Sequence, residues 1–260
     1  MKLSISNIAW PKEWDLEVYE EMKRLGYSGV EIAPTRILQD NPYDRLDEIK
    51  LWKQEIVSSF QISSMQSILY GRGENIFHSE EERIFLFEYL KKAIDFASTI
   101  SCKNLVFGCP KNRDGSYGNR DIACAFFREI GEYAFSKDVR IGMEAVPSTY
   151  NTDFLNTTED TLNFIEEVHS AGVMLNLDVG AMITNEEDLS ILEGRYNCIS
   201  HVHISEPGLK KIQHREVHRE LIKKLYEVNY DGFVSIEMGR QNSTQDVTDS
   251  LEYLYEIAVK

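Results

Sequence analysis

Several things are missing from this chain. No apolar run reaches the roughly 18 residues that a membrane-spanning helix requires, so an integral helical membrane protein is excluded. Positive charge is in short supply. Against 28 Lys and Arg stand 43 Asp and Glu, a formal net charge of −15. That argues against general affinity for nucleic-acid phosphates, but a small anionic substrate needs only local cations. Cysteine is sparse. Cys102, Cys109, Cys124 and Cys198 show no C-x-x-C spacing, so they read as buried free thiols of a reducing compartment rather than a disulfide framework. There are only six prolines, and no linker or low-complexity tract divides the chain. Met1 and Lys2 run straight into LSISNIAW, which leaves no room for a signal peptide. The expectation is a soluble cytoplasmic protein. The first strand-to-helix turn, ISNIAWP, has no glycine, so the phosphate loop of an open dinucleotide-binding sheet is absent.

Present throughout is an alternation of β-rich apolar runs with amphipathic helical stretches. Strands are expected at Leu3–Ile8, Gly29–Ala33, Ile62–Leu69, Asn104–Gly108, Arg140–Glu144, Val173–Asp178, Cys198–Ser205 and Gly232–Glu237. Helices are expected at Trp14–Leu25, Tyr43–Phe60, His78–Ile100, Asp121–Ser136, Thr158–Ser170, Glu186–Glu193, His218–Val228 and Thr244–Ala258. Gly26 stops the first helix. Ser79 followed by Glu82 reads as a capping box. Eight such alternations, with 42% hydrophobic residues to fill a large core, predict an α/β protein: a single (β/α)8 barrel spanning residues 1–260.

In such barrels the chemistry sits at the C-terminal ends of the strands. Four strand ends carry groups of one kind. In ISHVHISEP the two histidines alternate with apolar residues and share one side of the strand. Glu144, Asp178 and Glu237 end GME, LNLD and VSIE. The intervals Glu144–Asp178, Asp178–His203 and His203–Glu237 are 34, 25 and 34 residues, each about one strand–helix unit. Three carboxylates in one small volume would force protonation unless a cation joined them. Three oxygens and one nitrogen suit one divalent metal ion, Mn²⁺, Mg²⁺ or Co²⁺, with Zn²⁺ possible. The metal ligands are therefore expected to be Glu144, Asp178, His203 and Glu237. His201 reads as a hydrogen-bonded barrel histidine. Substrate contacts are expected from Trp10, Glu31 and Gln66 at the ends of strands one to three, and from Glu206 in the turn after the metal histidine. Asn7 and the stretch 107–109 are weaker candidates. An aromatic wall and amide or carboxylate hydrogen bonds suit a sugar. The cations near these strand ends are Arg72, Lys111, Arg113, Lys210, Lys211 and Arg215, each read as solvated charge.

The segments GMEAVP, LDVGAM, HVHISEP and YDGFVSIEMG resemble, in order and spacing, the xylose-isomerase-like barrel superfamily of sugar and sugar-phosphate isomerases and epimerases. The resemblance covers essentially the whole chain. It implies one Mn²⁺, Co²⁺ or Mg²⁺ on those four residues. It also implies that Glu144 and Glu237 are the catalytic pair, one taking a proton next to the substrate carbonyl and the other returning one to the enediolate. It further implies a small carbohydrate substrate, no nucleic acid or membrane partner, and a possible homo-oligomer. Against the 3-epimerases of the superfamily the chain departs at three places. Tyr150 stands for a second glutamate, Ala181 for a histidine and Leu209 for an arginine, so one wall of the site is expected to be less polar. Relatives with the SEPGL turn carry a site-facing histidine at the place of His218. The related alternatives are a dehydratase of inosose type on the same metal and a non-catalytic sugar-binding barrel. The zinc endonuclease branch needs three zincs and many histidines. Six histidines and Ala181 speak against it.

Overall fold

The computed structural model describes residues 1–56, 59–114 and 119–259. Eight parallel strands form one sheet: β1 Lys2–Ile5, β2 Gly29–Ile32, β3 Gln61–Met65, β4 Asn104–Phe107, β5 Arg140–Glu144, β6 Val173–Asp178, β7 Ile199–Ser205 and β8 Phe233–Glu237. β1 pairs with β8, and the order runs round to β2. Between β1 and β2 the seam is held by the Ser6–Glu31 bridge and by the Ser28 amide on the Leu3 carbonyl at 3.2 Å. The result is a nearly closed (β/α)8 barrel. The helices of the described residues are α1 Asp15–Arg24, α2 Pro34–Ile37, α3 Leu46–Ile56, α4 Glu80–Thr99, α5 Arg120–Ser136, α6 Thr158–Val168, α7 Val179–Thr184, α8 Glu216–Glu227 and α9 Thr244–Val259. None is long and apolar enough to cross a membrane.

Local chemistry explains the elements. Ser79 accepts the Glu82 amide at 3.1 Å and starts α4, and Thr157 does the same for Asp160 at the head of α6. The capping box at Ser79 is half made, because the Glu82 carboxylate accepts the Asn75 amide instead. Along α4 the residues Leu86, Leu90, Ala93, Ile94 and Ala97 recur at helical spacing and are fully buried. Each large one contributes about 1.5–3 kcal/mol of apolar burial. α7 begins directly after β6 because the Asp178 side chain accepts the Ala181 amide. That early start displaces the helix expected at Glu186–Glu193. Glu186 has positive φ, and only a 3-10 turn at Leu189–Leu192 remains. The helix expected at Tyr43–Phe60 divides into a 3-10 turn at Pro42–Asp44 and α3; residues 57–58 lie outside the described residues. β3 is shorter than expected, since Ser67 takes a positive φ just past it.

Two register shifts, at Val30/Glu31 in β2 and Leu175/Asn176 in β6, interrupt the ladders. Bulges of this kind re-aim side chains, and Glu31 and Asn176 both reach the histidine of β7. Below that level the barrel interior is a chain of small polar groups. Ser4 and Ser63 hydroxyls meet at 2.6 Å, Asn104 donates to Ser64 at 3.0 Å, and Ser200 donates to Asn104 at 2.7 Å.

Candidate metal centre and cavity

Glu144, Asp178 and Glu237 are the last residues of β5, β6 and β8, and His203 lies two residues before the end of β7. The ladder pairs Asp178 with His203 and Glu237 with Ser205, which brings the four groups to one level. The His203 ring has two distinct faces. Its Nε2 lies 2.9 Å from Glu31 Oε2, deep in the barrel. Its Nδ1 points the other way, 3.2 Å from Glu144 Oε2, 3.2 Å from Glu237 Oε2 and 3.8 Å from Asp178 Oδ2. The four potential ligand atoms all lie within 4.8 Å of one another.

Neighbouring groups fix two of the carboxylates, Glu144 and Asp178. Asn176 Nδ2 donates to Glu144 Oε2 at 2.6 Å, and Arg113 donates to the Glu144 carbonyl at 2.7 Å. Ser205 donates its hydroxyl to Asp178 Oδ2 at 2.7 Å. Gly108 leaves room for the other Glu144 oxygen: a Cβ there would stand 2.4 Å from Oε1. Beneath the centre, His201 Nε2 lies 2.8 Å from the same Glu31 oxygen that holds His203.

Burial raises the Asp178 carboxyl to about 7, reinforced by the charges of Glu144 and Glu237. Burial also raises Glu237, with His203 opposing it. Burial works against charge on His203, yet Glu237, Glu31 and Glu144 together hold it well above its usual value. Glu31 is held low, against its burial, by the two histidines. Three carboxylates thus share one imidazole as their cationic neighbour. Surplus anionic oxygens converging on one nitrogen fit a divalent cation of the oxygen-preferring kind. The second ring nitrogen, anchored on a buried carboxylate, completes the usual support of a histidine ligand.

A cavity of about 320 Å³ opens above these groups and is lined by Glu144, Asp178 and Glu237. Of the other residues expected at the site, Gln66 and Glu206 line it, as do Phe107, Gly108 and Cys109. Gln66 donates to Ser6 and accepts from Ser67, and Glu206 is gripped by Arg215 at 2.6–2.9 Å. Three residues expected to touch substrate do not line the cavity. Trp10 is fully buried, with its indole N–H on Asp15 Oδ1 at 2.8 Å. Its large apolar ring is drawn into the core beside Tyr19. Glu31 is fully buried under His203, because the β2 bulge turns it inward. His218 is buried on α8, with Nδ1 3.2 Å from the Tyr253 hydroxyl, and burial lowers it to about 4. Asn7 is buried too, accepting the Ala33 amide. Arg72, Lys111, Arg113, Lys210, Lys211 and Arg215 all stand outside the cavity lining. Tyr150, Ala181 and Leu209 are all in it. Sequence reasoning passed over Asn176 and Ser205. The only signal for Asn176 was a polar residue in the middle of an apolar strand.

A family model described as the xylose isomerase-like TIM barrel matches residues 19–257. The chain belongs to this family. Among curated members of it, the chain is similar to a D-psicose 3-epimerase of Enterocloster bolteae, at 24% identity over 91% of this chain and 82% of the relative. It is also similar to an L-ribulose 3-epimerase of a Methylomonas species, at 23% over 76% and 70%. Among solved structures of this barrel, a 3-keto-D-glucoside 4-epimerase from E. coli superposes with TM-score 0.78 at 21% identity, covering 98% of this chain and 99% of that one. A D-psicose 3-epimerase crystallised with D-fructose also gives 0.78, at 16% identity over 100% and 97%.

Proposed function

We propose that the protein is a divalent-metal-dependent epimerase or isomerase of a sugar or keto sugar, working in the cytoplasm. The reading rests on one observation above all. Two glutamates from different strands, Glu144 and Glu237, each bring one oxygen to 3.2 Å from the same His203 nitrogen at the floor of an open cavity. The epimerase names of its relatives support the same class.

Glu144, Asp178, His203 Nδ1 and Glu237 would hold one Mn²⁺, Mg²⁺ or Co²⁺. Such an ion supplies positive charge that polarises substrate oxygens and eases removal of a proton from the carbon beside a carbonyl. The chain supplies the proton movement. Asn176 pins Glu144 Oε2 at the centre, and Oε1, over Gly108, is left to exchange a proton. Glu237 arrives from β8. One glutamate accepts the proton and its partner, in the opposite protonation state, returns one. Return to the opposite face of the same carbon inverts it; return to the neighbouring carbon moves the carbonyl.

The test is a panel of free ketoses, phosphorylated ketoses and inososes incubated with the Mn²⁺-loaded protein in D₂O and followed by NMR. Deuterium at one carbon with inverted configuration or a moved carbonyl is expected. Deuterium uptake with loss of a hydroxyl would make the enzyme a dehydratase. No exchange across the panel, with metal bound, would contradict the reading.

A further inference from the structure

The cavity is sharply divided in character. Its floor holds Glu144, Asp178 and Glu237, and a fourth carboxylate, Glu206, stands in its wall. Among the described residues, no Lys, Arg or His side chain lines it. Three of the strong cations around it are committed elsewhere, and Lys111 and Lys210, next in sequence to the lining residues Pro110 and Leu209, are exposed outside the lining. Arg215 is bound to Glu206, Lys211 to Asp246 and Asp249, and Arg113 is fully buried against the Glu144 carbonyl. Arg215 already offsets Glu206, and one divalent ion carries two charges against the three carboxylates of the floor. A phosphate or carboxylate group entering this space would meet like charge and no cationic side chain.

The mouth is different again. Tyr70, Tyr150 and Leu209 line the cavity, and they are 71%, 44% and 40% exposed. Val106, Val146 and Ala181 continue the apolar surface inward. Three large hydrophobic side chains held in water round one opening form a surface that an apolar group would cover favourably. Tyr150 is not free to swing away, because its hydroxyl accepts the Gly208 amide at 3.0 Å. Leu209 is set by its own amide on the Glu206 carbonyl, and its carbonyl accepts the Gly239 amide.

We propose that the substrate is an uncharged sugar derivative bearing an apolar substituent, an alkyl or aryl aglycone. The sugar lies over Glu144 and Glu237, and the substituent seats among Tyr70, Tyr150 and Leu209. This rests on the reading of the site as a sugar epimerase or isomerase. The substituent supplies binding energy away from the reacting carbon, which holds the sugar in register for proton transfer.

Calorimetry on the Mn²⁺-loaded protein tests this with three probes that share one sugar: D-glucose, D-glucose 6-phosphate and phenyl β-D-glucopyranoside. The phenyl glucoside should bind at least about tenfold more tightly than glucose, from the apolar area it covers. The phosphate should bind no better than glucose. In Leu209→Ala, with the melting temperature checked, the ratio of phenyl glucoside to glucose affinity should fall about threefold or more. A phosphate preference, or a phenyl glucoside that binds no better than glucose, would overturn the proposal. So would sedimentation showing a dimer that Leu209→Asp dissociates, with no phenyl preference, since the rim would then belong to a second copy. Solvent exchange reports the catalytic reading separately. Phenyl preference without exchange on any sugar keeps the inference and removes that reading; exchange with phosphate preference does the reverse.

Discussion

Strands β5 to β8 and strands β1 to β4 end at the same rim, but they contribute differently. The first group sends Glu144, Asp178, His203 and Glu237 to one point. The second sends nothing charged there. It offers Glu31, buried beneath the centre, together with the Gln66 amide and the space over Gly108. On the proposed reading one half would hold the metal, and the other holds the histidine and leaves room. Direct ligands and their supports are separable, because each acts through different atoms of His203.

The comparison can be broken at its strongest point first. In His203→Ala the only nitrogen donor is gone and three carboxylates face each other unbalanced. Mn²⁺ affinity should fall by more than about 10²-fold, beyond the loss typical of an outer-shell change. Calorimetric titration measures it, and near-normal affinity would mean that the ion sits elsewhere. Glu31→Gln should have the next largest effect. The amide cannot hold the imidazole as the carboxylate does, so Mn²⁺ affinity should drop about 10–100-fold with all four ligands intact. ¹⁵N spectra of the metal-free protein should show the charged His203 ring giving up its proton at lower pH once the Glu31 charge is gone. An unchanged ring signal and unchanged affinity would make Glu31 a packing residue.

Weaker effects sharpen the contrast. His218, lowered to about 4 by burial, stays neutral in the fold, while the unfolded chain takes up a proton near 6.5. Between those values the unfolded state binds more protons, so stability is lost as pH falls from 6.5 toward 4. His218→Gln should flatten that part of the melting-temperature profile and leave Mn²⁺ affinity alone. An unaltered slope would show that His218 carries no share of it. Smallest is Trp10→Phe, which removes the hydrogen bond to Asp15. A loss of about 1–2 kcal/mol corresponds to a melting point lower by roughly 2–4 °C. Ligand affinity should be unchanged. A tenfold weaker affinity with an unchanged melting point would return Trp10 to the site.

The same division explains what could be read from sequence. Glu144, Asp178, His203 and Glu237 were legible because a short apolar strand ending on a metal-binding group is a local pattern, repeated at barrel spacing. The barrel was legible separately, in the eight strand–helix alternations along the chain. Glu31 was legible as a residue with no apolar role, but the β2 bulge that turns it under His203 is a property of ladder register. Trp10 and His218 were misplaced for a related reason. Proximity to a strand end does not say which way a side chain leaves it, and both found polar partners away from the cavity, Asp15 and Tyr253. The early start of α7 was hidden in Asp178, whose two oxygens serve the helix cap and Ser205. The apolar wall formed by Tyr150, Ala181 and Leu209 was visible as three departures from related epimerases.

The central claim is that Glu144 and Glu237 move the proton while the metal is held by all four groups. The decisive measurement takes Glu144→Gln and Glu237→Gln, and records metal content and substrate solvent-deuterium exchange on the same samples. Both variants should retain Mn²⁺ more firmly than His203→Ala, and exchange should fall by at least about 10²-fold in each, the usual contribution of a positioned acid or base. Metal-loaded variants that exchange at near the wild-type rate would contradict the account and assign the proton to another group.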